Sequence, residues 1–449
     1  MARPLTRTGP EHRRVVLAAM AGTTIEWYDF FIYAISAGLV FSTQYFAALG
    51  EDALILSFAT VGISFFFRPV GAVIAGHLGD RIGRRAMLVL TLLLMGVSTV
   101  LIGLVPSAAA IGVTAPVALV LLRIVQGLSA GGEWGGAALL AVEHAPADRR
   151  GLFGAFPQIG VPVGLLLANG VLALVAALTT PAQFLAWGWR IPFLLSAVLI
   201  VAGLVIRSRV AESPVFEEVR RTRSQAGLPL VQLFRHHWRL VVLGAIVFAA
   251  NNAVGYMTTG GYVQSYAVRT LHLERSTVLA AVMISAVAWL VSTLAGGWLA
   301  DRIGRLRVYR IGFVVQLLWL VPFFALLDTA NVGLLIVALL LFSVGLGFTY
   351  GPQAALYAEM YPARVRYSGA AISYALGAVL GGAFAPTIAE ALQSSTGTVY
   401  AVCAYLAGMT LLGLIATAAL RDHRGIPLDV SGEPAATPLP AERNPGGAA

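Results

Sequence analysis

Charged side chains stand inside several of the long apolar stretches of this 449-residue chain. Glu26 and Asp29 fall near the middle of the first stretch, and Arg123 and Glu133 share the fourth. A charged group inside a bilayer is costly unless it is paired, protonated or facing water. The carboxylates are therefore candidate proton acceptors, and a fixed ion pair between two helices is the alternative interpretation of each.

The arginine in the fourth stretch, Arg123, is charged under all physiological conditions. We expect it to lie at the depth of Asp29 and to pair with it, although a guanidinium is also a natural clamp for a substrate carboxylate. Glu26 shares roughly one helix face with Asp29, so one carboxyl can titrate while the other stays paired. Glu133 lies about 15 Å further along its helix and is predicted to be a second proton site or a partner of Arg68.

The overall composition indicates that lipid surrounds these stretches. The chain is 58% hydrophobic and 11% charged, with a mean hydropathy of +0.82, whereas soluble domains carry about 25% charged residues. At about 20 residues a span, there is room for about twelve spans. The sequence predicts an all-α membrane protein with spans at 15–40, 53–76, 86–106, 114–140, 151–178, 190–206, 238–265, 276–300, 308–328, 331–357, 367–391 and 398–420.

The spans divide into two sets of six. We predict a cytoplasmic N-terminus at 1–14, a six-helix bundle at 15–206, a cytoplasmic central loop at 207–237, a second bundle at 238–420 and a disordered tail at 421–449. Arginines concentrate in the loops on the side of the N-terminus, which places both termini in the cytoplasm. The net charge of +9 is explained by these loops, and a nucleic-acid partner is not expected.

Two pairs of similar segments link the halves. GHLGDRIGRR at 76–85 returns as GWLADRIGRL at 297–306, an offset of 221 (297 − 76). EHAPADRR at 143–150 returns as EMYPARVR at 359–366, an offset of 216 (359 − 143). Two matches at nearly one offset indicate duplication, and parallel six-span repeats are typical of one large transporter fold.

These segments carry a resemblance to a known family. Residues 76–85 and 297–305 match the loop motif G-x-L-x-D-R-x-G-R of the major facilitator superfamily, and 123–127 matches its R-x-x-Q-G motif. TIEWYDF at 24–30 and GGEWGG at 131–136 resemble the metabolite:proton symporters, which carry shikimate, α-ketoglutarate, citrate, and proline or betaine. The resemblance covers about residues 12–421, and segments 151–170 and 187–192 are most similar to the shikimate-like branch.

The resemblance implies two six-helix bundles related by pseudo-twofold symmetry in a bacterial inner membrane. It implies proton coupling by Asp29, Glu26, Arg123 and Glu133. The paired loops imply a gate, in which an aspartate meets the positive end of a facing helix and stabilises the outward-facing state; a loop that only sets orientation is the alternative. The gating candidates are Gly76, Asp80, Arg81, Gly83, Arg84, Arg149, Arg150, Asp301, Arg302 and Arg305.

Substrate contacts are expected from polar and aromatic side chains at mid-membrane. Each such residue can instead form an ordinary hydrogen bond between helices. Asn251 and Asn252 are the strongest pair, because two adjacent amides in one span both need partners. The candidates are Tyr28, Arg123, Gln158, Asn169, Asn251, Asn252, Tyr256, Gln353, Tyr357 and Tyr374.

We therefore expect a secondary active transporter that carries a small organic acid together with protons by alternating access. No cofactor is expected, the proton is the coupling ion, and a monomer in the lipid bilayer suffices. No nucleotide-binding loop, metal-ligand spacing or nucleophile elbow appears, so neither an enzyme nor an ATP-driven pump is expected. The alternatives are a proline or betaine symporter, a drug/proton antiporter, and a non-transporting membrane sensor.

Overall fold

The computed structural model describes residues 10–208, 217, 229–259 and 262–428, and these residues form helices and no strand. Twelve helices in this part of the chain are long and apolar enough to cross a membrane, which confirms the predicted all-α class. The first half contains α1 (Pro10–Ser36), α2 (Ala53–Ile82), α3 (Arg84–Leu104), α4 (Thr114–Glu143), α5 (Arg150–Leu178) and α6 (Arg190–Ser208).

The second half repeats this arrangement. It contains α7 (Pro229–Thr259), α8 (Arg275–Ile303), α9 (Arg305–Leu327), α10 (Val332–Tyr350), α11 (Arg366–Ala378) and α12 (Tyr400–Ala419). Helix α10 is followed by a short helix, Gln353–Met360, and α11 continues through a π turn, Val379–Ala383, into Ala385–Thr396. An additional short helix, Tyr262–Arg269, follows α7.

The boundary of the predicted central loop, 207–237, differs from the structure at both ends. Arg207 lies in the last turn of α6 and is buried. Helix α7 begins at Pro229 and ends at Thr259, whereas the predicted span was 238–265. The polar residues at 235–237 suggested a loop, but proline suits the first turn of a helix and Leu233 is fully buried. The remainder of that loop lies mostly outside the described residues.

The two loop-motif copies make the same turn. Gly83 joins α2 to α3 with φ 109°, and Gly304 joins α8 to α9 with φ 105°. A residue with a Cβ rarely adopts such a φ, so glycine lets two long helices follow one another without a longer loop. We call the end of the bundle at which both turns lie the motif end.

Small residues bring helix backbones together in the first half. A Cβ on Gly131 of α4 would lie 2.1 Å from the carbonyl oxygen of Arg68 in α2, and a Cβ on Gly164 of α5 would lie 2.8 Å from the backbone nitrogen of Tyr28 in α1. Close approach of this kind is how membrane helices pack without a hydrophobic driving force. It holds the charged residues of α1, α2 and α4 within reach of one another.

The tail, predicted to be disordered from 421, is ordered at its start. Asp422 Oδ2 accepts a hydrogen bond from Leu306 N at 3.2 Å, at the beginning of α9. Further along, the carbonyl oxygens of Ile426 and Leu428 accept hydrogen bonds from arginines of both halves. Residues 421–428 thus lie across the motif end because their backbone oxygens satisfy buried guanidinium groups, and 429–449 lie outside the described residues.

Candidate functional site

At the motif end, an aspartate of one half meets a helix N-terminus of the other. Asp301 accepts hydrogen bonds from the backbone nitrogens of Gly151 at 2.6 Å and Leu152 at 2.8 Å, in the first turn of α5. Its carboxylate also lies 2.8 Å from Arg305. A carboxylate is favoured at this position because the first turn of a helix carries unsatisfied N–H groups and positive partial charge. The predicted gate geometry is therefore present for the second loop motif.

Two ion pairs cross between the halves beside this contact. Arg150 Nη1 lies 3.5 Å from Glu359 Oε1, and Arg366 Nη1 lies 3.4 Å from Glu143 Oε1. The two pairs are related by the duplication, because both partners are offset by the same 216 positions (366 − 150 and 359 − 143). Each half therefore supplies one arginine and one glutamate to a reciprocal exchange, and all four groups are buried.

The other gating candidates lie around these pairs. Gly76 packs against Ser368 of α11, and its Cβ would lie 2.8 Å from that residue's Cα. Arg302 stacks on Trp298, 3.6 Å from the ring centre. Arg149 is exposed beside Asp148, and Arg81 is also exposed. The side chains of Asp80 and Arg84 lie outside the described residues, so the gate geometry of the first loop motif stays a prediction.

Near the centre of the bundle, an aromatic stack joins the halves. The ring of Trp134 in α4 lies parallel to that of Tyr374 in α11, with centroids 4.0 Å apart, and Tyr374 stacks in turn on Phe248 of α7 at 4.1 Å. Tyr357 contacts Trp134 edge to face at 5.5 Å. Rings stacked this closely leave no room for water between them, so the two halves are in direct contact here.

An amide pair lies beside the stack. Gln158 of α5 accepts a hydrogen bond from the Trp134 indole at 2.6 Å and donates to Gln353 Oε1 at 3.2 Å and to the Tyr350 carbonyl at 3.3 Å. The structure thus brings four of the predicted substrate residues together at the interface of the halves. These four are Gln158, Gln353, Tyr357 and Tyr374.

Asp29 is buried in a network within the first half. Its carboxylate accepts hydrogen bonds from Thr99 at 2.6 Å and Ser196 at 2.7 Å. Thr99 accepts from Gln126, whose own side-chain oxygen accepts from Arg123 at 2.8 Å. The expected direct pair between Asp29 and Arg123 is replaced by this relay, because Arg123 is turned toward α2.

The guanidinium of Arg123 donates hydrogen bonds to residues of its own half. It donates to the carbonyl oxygens of Thr60 and Val61 and to Ser64 Oγ, and it lies 4.0 Å from the centre of the Tyr33 ring. A guanidinium has five N–H donors, and these contacts occupy most of them. The alternative role of Arg123 as a substrate clamp therefore has little geometric support.

The second half contains an uncharged version of the Asp29 network. Gln316 donates to Thr349 Oγ1 at 3.3 Å, and Thr349 donates to Asn251 Oδ1 at 2.5 Å. The order of groups, amide to hydroxyl to oxygen acceptor, is that of the first half. Asn251 and Asp29 are separated by 222 positions (251 − 29), close to the offset of the loop motifs. One half thus holds a carboxylic acid where the other holds an amide.

Glu26 and Arg68 form a second buried group one turn from Asp29. Glu26 Oε1 lies 3.5 Å from Arg68 Nη2, and the guanidinium also lies over the rings of Phe65 at 4.7 Å and Trp27 at 5.7 Å. Within the described part of the chain, neither Glu26 oxygen nor Arg68 Nε has a hydrogen-bond partner. The pair is therefore close but poorly satisfied.

Glu133 pairs with Arg207 of α6, and it also accepts a hydrogen bond from Thr91 at 2.7 Å. The alternative prediction that it pairs with Arg68 is wrong, because Arg68 is turned toward Glu26. Gly22 of α1 leaves room for the pair, since a Cβ there would overlap the Arg207 guanidinium.

Three of the remaining substrate candidates form ordinary helix contacts. Tyr28 donates to the Pro192 carbonyl at 2.9 Å, Asn169 to Leu165 on its own helix at 2.9 Å, and Asn252 to the Ala378 carbonyl at 3.5 Å. The side chain of Tyr256 lies outside the described residues. Tyr350 and Phe248 were not predicted, because they have no charge to distinguish them in the sequence, and Arg68 was predicted only as a possible partner of Glu133.

Apart from the charges that join the halves at the motif end, the buried charges of the described residues are confined to the first half, and they balance. Among the described residues, the buried charged side chains of the second half, Arg305, Glu359 and Arg366, all lie at the motif end. Besides Arg150 and Glu143 of the motif-end ion pairs, the first half buries three arginines and three carboxylic acids. They are Arg68, Arg123 and Arg207, with Glu26, Asp29 and Glu133.

Comparison with known proteins agrees with this architecture. A model of the Major Facilitator Superfamily matches residues 19–386. The solved structure of the proton:xylose symporter XylE bound to 6-bromo-6-deoxy-D-glucose superposes with a TM-score of 0.76 at 18% identity, covering 92% of this chain and 97% of that one. The chain belongs to the major facilitator superfamily and has its twelve-helix fold.

Relatives within the superfamily are metabolite transporters. The inner membrane metabolite transport protein YhjE of Escherichia coli is 43% identical over 413 residues, covering 90% of this chain and 93% of the relative. The shikimate transporter of Escherichia coli is 37% identical over 418 residues, covering 92% and 95%. The proline/betaine transporter of Salmonella typhimurium is 31% identical, covering 93% and 85%. These matches confirm a multi-pass membrane transporter.

Proposed function

We propose that this protein is a proton-coupled symporter of a small organic anion. The observation that carries the proposal is the balance of the three buried arginines and three buried carboxylic acids of the first half that lie outside the motif-end ion pairs. If one carboxylate binds a proton, the group is left with one positive charge. An uncompensated charge in the membrane interior is costly, and an anion in the central space would compensate it. Proton and anion therefore favour one another's binding.

Asp29 is our first choice for a proton-binding group. Its counterpart in the second half is the amide of Asn251, which ends a similar chain of amide and hydroxyl groups without a charge. A chain of this kind does not require a carboxylate, which supports a role for the acid at position 29 beyond holding helices together. The relay from Arg123 through Gln126 and Thr99 would transmit the change in charge to α2 and α4.

The closed motif end supports alternating access. Asp301, the two reciprocal ion pairs and residues 421–428 all join the halves there, so this conformation corresponds to one closed on the motif side. The loop arginines indicate that this side is the cytoplasm of a bacterial inner membrane. With that orientation the closed side would face the cytoplasm, and rocking of the halves about the Trp134–Tyr374 stack would open it.

The substrate class follows from charge. Relatives are named as transporters of shikimate, proline and glycine betaine. Each of these molecules contains a carboxylate. An anion neutralises the charge left by the proton, whereas a zwitterion does not. We therefore prefer a small organic acid to a betaine-like osmolyte, and we keep the osmolyte symporter and the drug/proton antiporter as outcomes of the test.

The test is uptake by proteoliposomes under an inward proton gradient. Labelled shikimate, α-ketoglutarate, citrate, benzoate, proline and glycine betaine would each be supplied with and without a protonophore. Accumulation of an acid that the protonophore abolishes supports the proposal. Accumulation of proline or betaine alone would replace the substrate class, and export of a cationic dye without uptake of any acid would overturn symport.

A further inference from the structure

Arg68 differs from the other buried arginines in how little it is bonded. Arg123 and Arg207 each donate several hydrogen bonds to side chains and carbonyls. Arg68 has one carboxylate contact at 3.5 Å and two ring faces, and its buried Nε, like that of Arg207, has no acceptor among the described residues. A buried donor without an acceptor is rare and calls for a ligand or another explanation.

Two buried donors of the second half that have no acceptor in the described part of the chain lie near Tyr350. Tyr350 itself is within electrostatic range of Glu26 and Arg68, and its side chain is hydrogen-bonded to Tyr374. The indole of Trp289 lies 5.3 Å from the Tyr350 ring, edge to face, and its N–H is buried with no acceptor in the described part of the chain. Nε2 of Gln353 is likewise buried with no acceptor among the described residues. The side-chain oxygen of Gln353 accepts a hydrogen bond from Gln158.

The chemistry of these groups selects their ligand. Arg68 Nε, Trp289 Nε1 and Gln353 Nε2 are all donors, and the first carries a full positive charge. Oxygen acceptors would satisfy them, and a carboxylate fits a guanidinium with two parallel hydrogen bonds. The faces of Trp27 and Phe65 against the guanidinium hold its plane in place.

We propose that Arg68 binds the carboxylate of the transported acid, and that this carboxylate displaces Glu26, which then takes up the coupled proton. The proposal rests on the proposed function and identifies where anion and proton meet. The exchange is balanced: the Arg68–Glu26 pair, the substrate anion and one proton give an Arg68–substrate pair and a neutral Glu26. Net charge at the site is zero before and after.

The surroundings of Glu26 favour its protonated, neutral form once the substrate carboxylate has bound Arg68. The charged side chains near Glu26 are Arg68 on α2, Glu133 on α4, Arg207 on α6 and Asp29 on its own helix. Arg207 is bonded to Glu133, so its charge is already matched. A buried carboxylate that loses its single unshared cation takes a proton rather than remain charged. Asp29 would then serve as the group that receives or passes on that proton.

The site also lies where both halves can act on it. Glu26 and Arg68 belong to the first half, whereas Tyr350, Gln353 and Trp289 belong to the second. A ligand held by both sets would be released when the halves separate, and the Trp134–Tyr374 stack beside it would part with them. Binding and alternation would thus depend on the same contacts.

The decisive experiment compares an acid with its uncharged amide. The acid would be the one that wild-type protein accumulates from the uptake panel, and binding of acid and amide would be measured by competition in detergent. We expect wild type to prefer the acid by about tenfold to hundredfold, the range for a charge-assisted hydrogen bond. Arg68→Gln should bind acid and amide alike, and Arg68→Lys should recover part of the preference.

A second variant tests the exchange without removing the arginine. Glu26→Gln imitates the protonated acid, so it should bind the substrate at least as tightly as wild type. Its affinity should no longer fall as the pH rises, and it should exchange substrate without accumulating it. Arg190→Gln, which removes an arginine bonded to carbonyls at the opposite end of α3, should leave the acid preference unchanged.

The outcomes separate this inference from the proposed function. If wild type accumulates an acid but Arg68→Gln keeps the preference for acid over amide, the site assignment is wrong and symport stands. If Arg68→Gln does not fold, Glu26→Gln decides, because binding that keeps its wild-type pH dependence would exclude the exchange. If wild type accumulates no acid of the panel, both the symport and the site are overturned.

Discussion

Arg150 of the first half and Glu359 of the second lie 3.5 Å apart, and the duplicated positions 366 and 143 form the same pair in the opposite direction. The closed motif end is therefore held by two equivalent contacts rather than one. Both arginines also donate to carbonyls of residues 426–428. A conformational change that opens this end must break both pairs together.

The reciprocal pairs give the first prediction. Arg366→Gln removes the guanidinium that lies 3.4 Å from Glu143, and loss of one partner of a buried ion pair should destabilise the closed motif end by up to about 3–5 kcal/mol. In a background with the single cysteine replaced, Cys403→Ser, a cysteine introduced on the central face should then react faster with a reagent added at the motif side. Arg307→Gln, an exposed arginine of α9, is the matched control. Equal labelling of both variants would show that the pair does not hold the closed state.

The second prediction concerns Asp301. Asp301→Ala removes the acceptor for two backbone N–H groups of α5, and loss of such a cap costs about 0.5–2 kcal/mol. The population should shift toward the conformation open at the motif end, seen as faster labelling from that side. Asp80→Ala should do the same if the first loop motif makes the equivalent contact. An unchanged labelling rate in both would leave only a role in setting membrane orientation.

The third prediction concerns Asp29, whose counterpart in the second half is Asn251. Asp29→Asn copies the amide that Asn251 supplies, and an amide can still bond to both hydroxyls, because a hydroxyl both donates and accepts. The variant should fold with a melting temperature near that of wild type. It should exchange substrate across the membrane but lose accumulation driven by a proton gradient. Accumulation at the wild-type level would remove Asp29 from proton coupling.

The fourth prediction concerns residues 421–428. Ending the chain after Leu420 removes the carbonyl acceptors of Arg150 and Arg366 and the Asp422 contact with the start of α9. We expect a lower thermal stability and faster labelling from the motif side. Ending it after Leu428 keeps these contacts and should resemble the full chain. Identical behaviour of the two truncations would show that the segment contributes nothing to closure.

Much of the fold could be predicted from the sequence because hydropathy and duplication are properties of the chain itself. Twelve apolar stretches and two copies of the loop motif imply the two bundles directly. The ends of α7 were misplaced because His236, His237 and neighbouring arginines are polar yet helical. Order at 421–428 was missed because it depends on arginines far away in the sequence.

The site was predicted only in part, because the three-dimensional structure decides which buried side chains contact one another. The mid-membrane carboxylates were recognisable because charge in an apolar stretch is conspicuous. Their pairing was not: Arg68 faces Glu26 rather than Glu133, and Arg123 reaches Asp29 only through Gln126 and Thr99. The rotation of each helix decides these contacts, and a strongly apolar span gives little indication of its rotation.

The confinement of the mid-membrane charges to one half has an electrical consequence. A membrane potential does work of about 2.3 kcal/mol on each elementary charge moved across 100 mV, and among the described residues the buried charges outside the motif-end contacts all belong to the first half. These charges balance, so the field does net work on the first half when protonation of a carboxylate or substitution of one charged residue leaves it with a net charge. Voltage sensitivity of transport should therefore follow substitutions in α1, α2, α4 and α6, while α7–α12 serve as the uncharged side of the hinge.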